Sequence, residues 1–203
     1  MDSLQTIIFD FGNVVGFFDH WRTLQQLERF TDMTAHEMYA NVFASALETD
    51  FETGQIGEEE FLRRFISGCR LTCKRDFLAE ACADIFWPNP EVCDLIPRLK
   101  ERYQILLGSN TNAIHARFFQ AQFAEIFRNF DALVLSHEIG VRKPHAGFFQ
   151  HCQRLARGKP EECLFIDDIA ENVAGARSLG WKGIVYQPND GLIEKLRAAD
   201  IRV

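Results

Sequence analysis

The sequence predicts an α/β fold: a parallel sheet covered on both faces by helices, with a helical lobe inserted after the first strand. Three observations predict it. Five short apolar runs each end in polar or glycine-containing residues: IIFD at 7–10, QILLGSN at 104–110, ALVLS at 132–136, CLFIDD at 163–168 and GIVYQ at 183–187. Helix-length amphipathic segments separate the later runs, and between residue 17 and about residue 90 no strand signal appears. Strands that are continuously apolar belong to sheets buried on both faces, and helices between them supply the crossovers that parallel pairing requires.

Taken in order, the first run leads into FDFGNVVGF, with Asp10 its first charge and Gly12 two residues on. In the insertion, Thr34 and Glu37 have the spacing of a capping box, and after GEEE the pairs Phe61/Phe65 and Leu62/Ile66 stand four apart on one helical face. The prolines of WPNP at 87–90 discourage helix and mark the way back to the sheet. Beyond them, Ile114, Phe118, Ala121 and Phe123 keep near-helical spacing. So do Phe148, Cys152 and Leu155 before Gly158, and Val173, Ala176 and Leu179 before Gly180. Pro144 in VRKPH suits the first position of a helix, which leaves Lys143 on the loop before it. The expected division is a core of residues 1–16 and 90–203 around a helical cap of residues 17–89. The phenylalanine pairs at 17–18, 118–119 and 148–149 are expected to fill the core and the hinge of that lid.

Composition narrows the function. With 203 residues, 47% hydrophobic and 25% charged, the chain is long enough for one full core and a smaller lobe. A formal charge of -7 argues against nucleic acid, whose phosphates need clustered Lys and Arg. No apolar run approaches the roughly 20 residues of a membrane span, and the start MDSLQT has neither the basic nor the apolar region of a signal peptide, so a cytoplasmic protein is expected. The six cysteines form no CxxC pair and read as reduced, mostly buried small hydrophobes. His36, His115, His137, His145 and His151 show no HxH or HExxH spacing and read as surface or satisfied core residues.

In an open parallel sheet, ligands bind beyond the carboxyl ends of the strands. The polar residues gathered there are Asp10, Ser109 with Asn110, and Asp167 with Asp168, joined by Lys143. A carboxylate can act as a covalent nucleophile. Carboxylates with a backbone carbonyl make the oxygen-rich shell that Mg²⁺ prefers. Three crowded acids need a divalent cation and a lysine to offset their charge, and phosphoryl transfer uses that combination. Ser109 and Asn110 would donate hydrogen bonds to phosphoryl oxygens.

At these residues the chain resembles the haloacid dehalogenase superfamily over essentially its full length. FDFGNVV is similar to that family's first motif, LLGSNTN to the second, VRKP to the lysine motif and FIDDIAENVAGA to the acidic fourth motif. The form FDxGNV, with ETGQIGEEEF and GVRKPHAGFFQ, most resembles the branch containing bacterial α-D-glucose-1-phosphate phosphatases. The resemblance implies a Rossmann-like core of five parallel strands with a small cap of the type inserted after the first strand. It implies a phosphatase for a small phosphomonoester, with Asp10 forming an aspartyl-phosphate and Ser109 and Lys143 binding the phosphoryl group. Mg²⁺ is then expected on Asp10, the carbonyl of Gly12 and Asp168, with Asp167 acting through water or a second layer.

Gly12 departs from the commonest phosphatase pattern, in which an aspartate there protonates the leaving oxygen. General acid or base help of that kind is typically worth about 10²–10⁴-fold. Three explanations stand open. The substrate needs little acid help, as a sugar 1-phosphate does; or Asp19 or His20 substitutes for the missing acid; or the chain binds without turnover, as a regulatory module. Dehalogenation of a 2-haloacid is a further alternative, although it has no use for the acidic pair at 167–168. Phe17, Phe18 and Trp21 lie where the chain enters the lid and are candidates to line a sugar-sized pocket.

Overall fold

The computed structural model describes residues 4–203; residues 1–3, at the start of the expected core segment, lie outside the described residues. Five strands form one parallel sheet: β1 (Thr6–Phe9), β4 (Gln104–Ser109), β5 (Ala132–Leu135), β6 (Cys163–Asp167) and β7 (Lys182–Val185), in the order β5-β4-β1-β6-β7. The expected parallel α/β sheet is therefore present, with each strand within a residue or two of its apolar run.

Burial explains why those runs are continuous. Ile7 and Phe9 of β1, Ile105 and Leu107 of β4, and Leu164 and Ile166 of β6 enter one hydrophobic cluster, while Ile8, Leu106 and Phe165 enter another on the opposite face. Successive side chains of a strand point to opposite faces, so a sheet with a core on each side has no polar position to spare. The first cluster is closed by α6 (Pro90–Lys100), α7 (Ala113–Gln122), a short α8 (Ala124–Phe127) and α12 (Leu192–Ala198). The second is closed by α10 (Ala146–Leu155) and α11 (Ala170–Ser178), with α9 (Ser136–Ile139) following β5. Phe148 and Phe149 are fully buried in that second cluster, but Leu155, expected on the same face, is 43% exposed.

The insertion contains α1 (His20–Leu27), α2 (Ala35–Val42), α3 (Ala46–Glu52), α4 (Glu58–Gly68) and α5 (Arg75–Ala83), which share a third hydrophobic cluster built on Leu24, Met38, Phe61, Phe65 and Leu78. α2 begins with the capping box read from the sequence: the Glu37 backbone N–H donates to Thr34 Oγ1 (3.3 Å), and the Thr34 N–H donates to Glu37 Oε2 (2.8 Å).

Two sequence expectations need correction. The stretch from 17 to 90 does hold strand: β2 (Gly16–Phe18) and β3 (Phe86–Pro88) pair antiparallel, with Phe17 opposite Trp87 and Phe18 opposite Phe86. Three residues per strand are too few to show a period, and a proline closes one of them. The second correction concerns Pro144, which precedes α10 instead of opening it; His145 is the N-cap, its Nδ1 accepting from Gly147 N–H. Pro90, by contrast, opens α6 as its first residue.

Candidate active site

β1 lies between β4 and β6, and the chain leaves those two neighbours toward opposite edges of the sheet. A crevice forms at such a switch point, and the strand ends fill it. Asp10 follows β1, its N–H still on the ladder to the Ile166 carbonyl (2.8 Å), which fixes where its carboxylate emerges. Oδ1 accepts from the Phe11 N–H (2.7 Å) and stands 2.7 Å from Lys143 Nζ. Among the described residues no donor reaches Oδ2.

Lys143 is 2% exposed and touches two carboxylates at once, with Nζ also 2.7 Å from Asp167 Oδ2. Its loop is clamped by the side chain of Asn110, which accepts the Lys143 N–H (2.8 Å) and donates to the Lys143 carbonyl (3.0 Å). Asn110 thus holds the lysine loop with the groups expected to meet a ligand. Ser109 is buried beside it and lines a small cavity that continues the main one.

The two acids that end β6 differ sharply. Asp167 is fully buried and surrounded by donors: besides Lys143, Oδ1 accepts from the Ile169 N–H (2.8 Å), and Asn172 Nδ2 lies 3.1 Å from each oxygen. Asp168 is half-buried at the cavity wall, where Oδ2 accepts from Asn13 Nδ2 (3.0 Å). Asn13 reaches it from a left-handed turn (φ 55°), a conformation asparagine tolerates better than most residues. Asn13 and Asn172 lie inside the quoted motifs, yet nothing in their spacing signals these contacts.

Carboxylate oxygens of Asp10, Asp167 and Asp168 lie within 4.8 Å of one another. Burial first, and then the charge of Asp167, raise the pKa of Asp10 well above the usual carboxylate range, against the pull of Lys143. Burial likewise raises Asp168. For Lys143, burial works against the ammonium, but Asp10 and Asp167 outweigh it and the pKa rises. Three converging carboxylates exceed the charge of the one ammonium that touches two of them, and an all-oxygen set of this size fits a hard divalent cation such as Mg²⁺.

Gly12 lines the cavity of about 240 Å³ above Asp10. Its role is spatial: a Cβ there would lie 2.9 Å from Cε1 and 3.3 Å from Cδ1 of Phe18, whose ring is backed by Phe86 and His20. Gly12→Ala is therefore expected to destabilise the fold by about 1–3 kcal/mol through overpacking. A second change, Phe18→Leu, should return most of that loss in thermal melts; a Gly12→Ala variant as stable as the parent would contradict the packing.

Of the two candidates to replace an acid at position 12, the structure leaves out Asp19. It is the N-cap of α1, its Oδ1 accepting from the Trp21 N–H (2.8 Å), and it does not line the cavity. His20 does line it, stacked on Phe43 with ring centroids 4.0 Å apart, and burial lowers its pKa to about 4. Phe18 also faces the cavity, whereas Phe17 packs on Trp87, and Trp21 stacks on Tyr39, which lines the wall instead. The inserted helices contribute more polarity than the sequence suggested. Glu48 and Glu52, one turn apart on α3, face the cavity, and Arg142, next to the lysine, places Nη1 3.0 Å from Glu52 Oε2. Burial pushes Glu48 up to about 8, helped by Glu52 and opposed by Arg142, and also raises Glu52. Helical spacing of the two glutamates was visible, but only the packing of α3 shows which way they point.

Other expectations concern structure alone. Five cysteines are buried and Cys73 is half-buried, with no disulfide among the described residues. His115, read as a core or surface histidine, is buried at the wall of the smaller cavity. No described helix is long and apolar enough to cross a membrane.

Comparison with known proteins adds three likenesses and one family. The family model described as haloacid dehalogenase-like hydrolase matches residues 4–180. D-ribitol-5-phosphate phosphatase of Bacteroides thetaiotaomicron is 24% identical over 194 residues, covering 93% of each chain. A haloacid dehalogenase family enzyme of the same organism, solved with magnesium and inorganic phosphate, superposes with a TM-score of 0.79 at 21% identity, over 92% of this chain and 96% of that one. L-2-haloacid dehalogenase of Xanthobacter autotrophicus, solved with chloropropionic acid covalently bound, superposes at 0.67 and 17% identity, over 98% and 85% of the two chains.

Proposed function

The chain belongs to the haloacid dehalogenase-like hydrolases, and from that premise we propose that it is a Mg²⁺-dependent phosphatase of small sugar phosphates, working through an aspartyl-phosphate on Asp10. The observation that carries this reading is Lys143 Nζ at 2.7 Å from both Asp10 and Asp167, with Asp168 in the same acidic cluster, under a polar lid. The likeness to a ribitol phosphate phosphatase and to an enzyme solved with magnesium and phosphate supports it.

In this reading Asp10 Oδ2, the oxygen free of donors, attacks phosphorus, while Phe11 N–H and Lys143 fix Oδ1 and so set the angle of approach. Lys143 and Ser109 bind phosphoryl oxygens, and Asn110 positions the lysine through its backbone. Asp10, the Gly12 carbonyl and Asp168 would hold Mg²⁺ directly. Asp167, already occupied by Lys143, Asn172 and Ile169, would act through water or from behind. The cation's contribution, when bound, is to neutralise charge on the nucleophile and the phosphoryl oxygens. Residues 17–89 act as the cap that closes over the substrate, and a cavity of about 240 Å³ suits a ligand smaller than a drug-sized one. The dehalogenase reading has less support, because displacement of halide by a carboxylate has no use for Asp168.

The basicity of the leaving oxygen sets an expected order within the class. Phosphate release in Mg²⁺ should be faster from sugar 1-phosphates, whose anomeric oxygen leaves readily, than from primary sugar or polyol phosphates, and chelation of the metal should stop both. A broad panel of sugar phosphates and small phosphomonoesters read by phosphate release tests this, and no Mg²⁺-dependent release from any of them would overturn the reading.

A further inference from the structure

We propose that Glu48, a lid residue, is the proton donor to the leaving oxygen of the substrate, with His20 as its positioning partner. The inference deepens the phosphatase reading and rests on it. It starts from what fills the space above Gly12. A side chain there is excluded by Phe18, and the Phe18 ring in turn packs edge-on against His20 with centroids 5.2 Å apart. The proton donor therefore has to come from the far wall of the cavity.

Glu48 meets that need and Glu52 does not. Both face the cavity with Asp10 and Gly12, but Glu52 has the Arg142 guanidinium 3.0 Å from Oε2, a counter-charge that works against the rise burial gives it. Glu48 has no hydrogen bond from any described residue. His20 Nε2 stands 3.5 Å from its Oε1, and its side chain keeps 17% exposure at the cavity. His20 also has a buried Nδ1 without a partner among the described residues. The groups that face Glu48 are Glu52 on its own helix, His20 on α1, Arg142 on the loop beside the lysine, and, more distantly, the Cys82 thiol of α5. Neutral His20 offers no counter-charge, so the set favours a protonated Glu48 through neutral pH.

The step balances. Asp10 Oδ2 forms the bond to phosphorus, the bond from phosphorus to the leaving oxygen breaks, and the Glu48 proton goes to that oxygen. Water then attacks the aspartyl-phosphate, its proton returns to the Glu48 carboxylate, and the bond from phosphorus to Asp10 breaks to give phosphate.

Glu48→Gln keeps the size and polarity of the side chain and removes the proton. Single-turnover mixing with Mg²⁺ should show a primary sugar phosphate slowed by about 10²–10⁴-fold. p-Nitrophenyl phosphate, whose leaving group needs no proton, should still give a burst near one nitrophenolate per enzyme. In the parent protein the transfer rate from the primary ester should fall as pH rises through about 8, where Glu48 ionises, and Glu48→Gln should lack that fall. An equal loss with both esters, or no loss with either, would overturn the role of Glu48 while leaving a parent phosphatase intact. A parent protein inert toward both would overturn the phosphatase reading and the role together.

Discussion

Asp10→Asn should abolish turnover of every substrate while leaving the protein folded. The loss expected is that of a covalent nucleophile, about 10⁶-fold, which places the variant at the floor of a phosphate-release assay. The fold should survive because Asn keeps the oxygen that accepts the Phe11 N–H, and because Lys143 retains Asp167 at 2.7 Å. The change also removes a carboxyl whose ionisation burial, and then the charge of Asp167, oppose. Thermal melting of parent and variant should therefore agree within a few degrees, and phosphate binding in Mg²⁺ should persist. Turnover that survives the change would remove Asp10 from the mechanism.

Lys143→Met is expected to cost both activity and stability. The ammonium lies over the rings of Phe165 and Phe148, with Nζ 5.3 and 5.9 Å from their centroids, and methionine can fill much of that space. It cannot answer the charges. Asp10 and Asp167, 7% and 0% exposed, would lose their shared ammonium, and breaking a buried pair in that way costs about 3–5 kcal/mol. For a domain of this size that is a fall in melting temperature of about 10 °C. Loss of a preorganised charge on the phosphoryl oxygens should lower kcat by at least about 10³-fold. The double change Lys143→Met with Asp167→Asn separates the two effects: it should recover part of the melting temperature and none of the activity. A single variant as stable as the parent would contradict the ion-pair account.

What the sequence made legible was the sheet edge. Asp10, Ser109, Asp167 and Asp168 are each the last or next residue of a strand, so a parallel sheet places them together whatever the helices do. Lys143 could be placed near them because it stands on the loop that precedes α10, and the capping box at Thr34 was readable because its spacing is local. What stayed hidden depends on contacts between distant segments. Asn110 looked like a phosphoryl donor, but its amide is turned to the lysine backbone 33 residues away. Asp19 looked like a surrogate acid because it stands close in sequence, yet a helix cap claims it. The family resemblance gave Asp10 and Lys143 their expected roles, whereas Glu48, Glu52 and Arg142 meet only because α3 docks over the sheet edge.

The two-stranded ribbon of Gly16–Phe18 and Phe86–Pro88 has a consequence beyond this one chain. Because it brings the outward and homeward passages side by side, the inserted helices leave and rejoin the core at one place, so their length need not set the register of any strand in the parallel sheet. With the nucleophile anchored below the ribbon and the proposed proton donor above it, an exchange of the inserted residues would retune the chemistry while the sheet stays fixed.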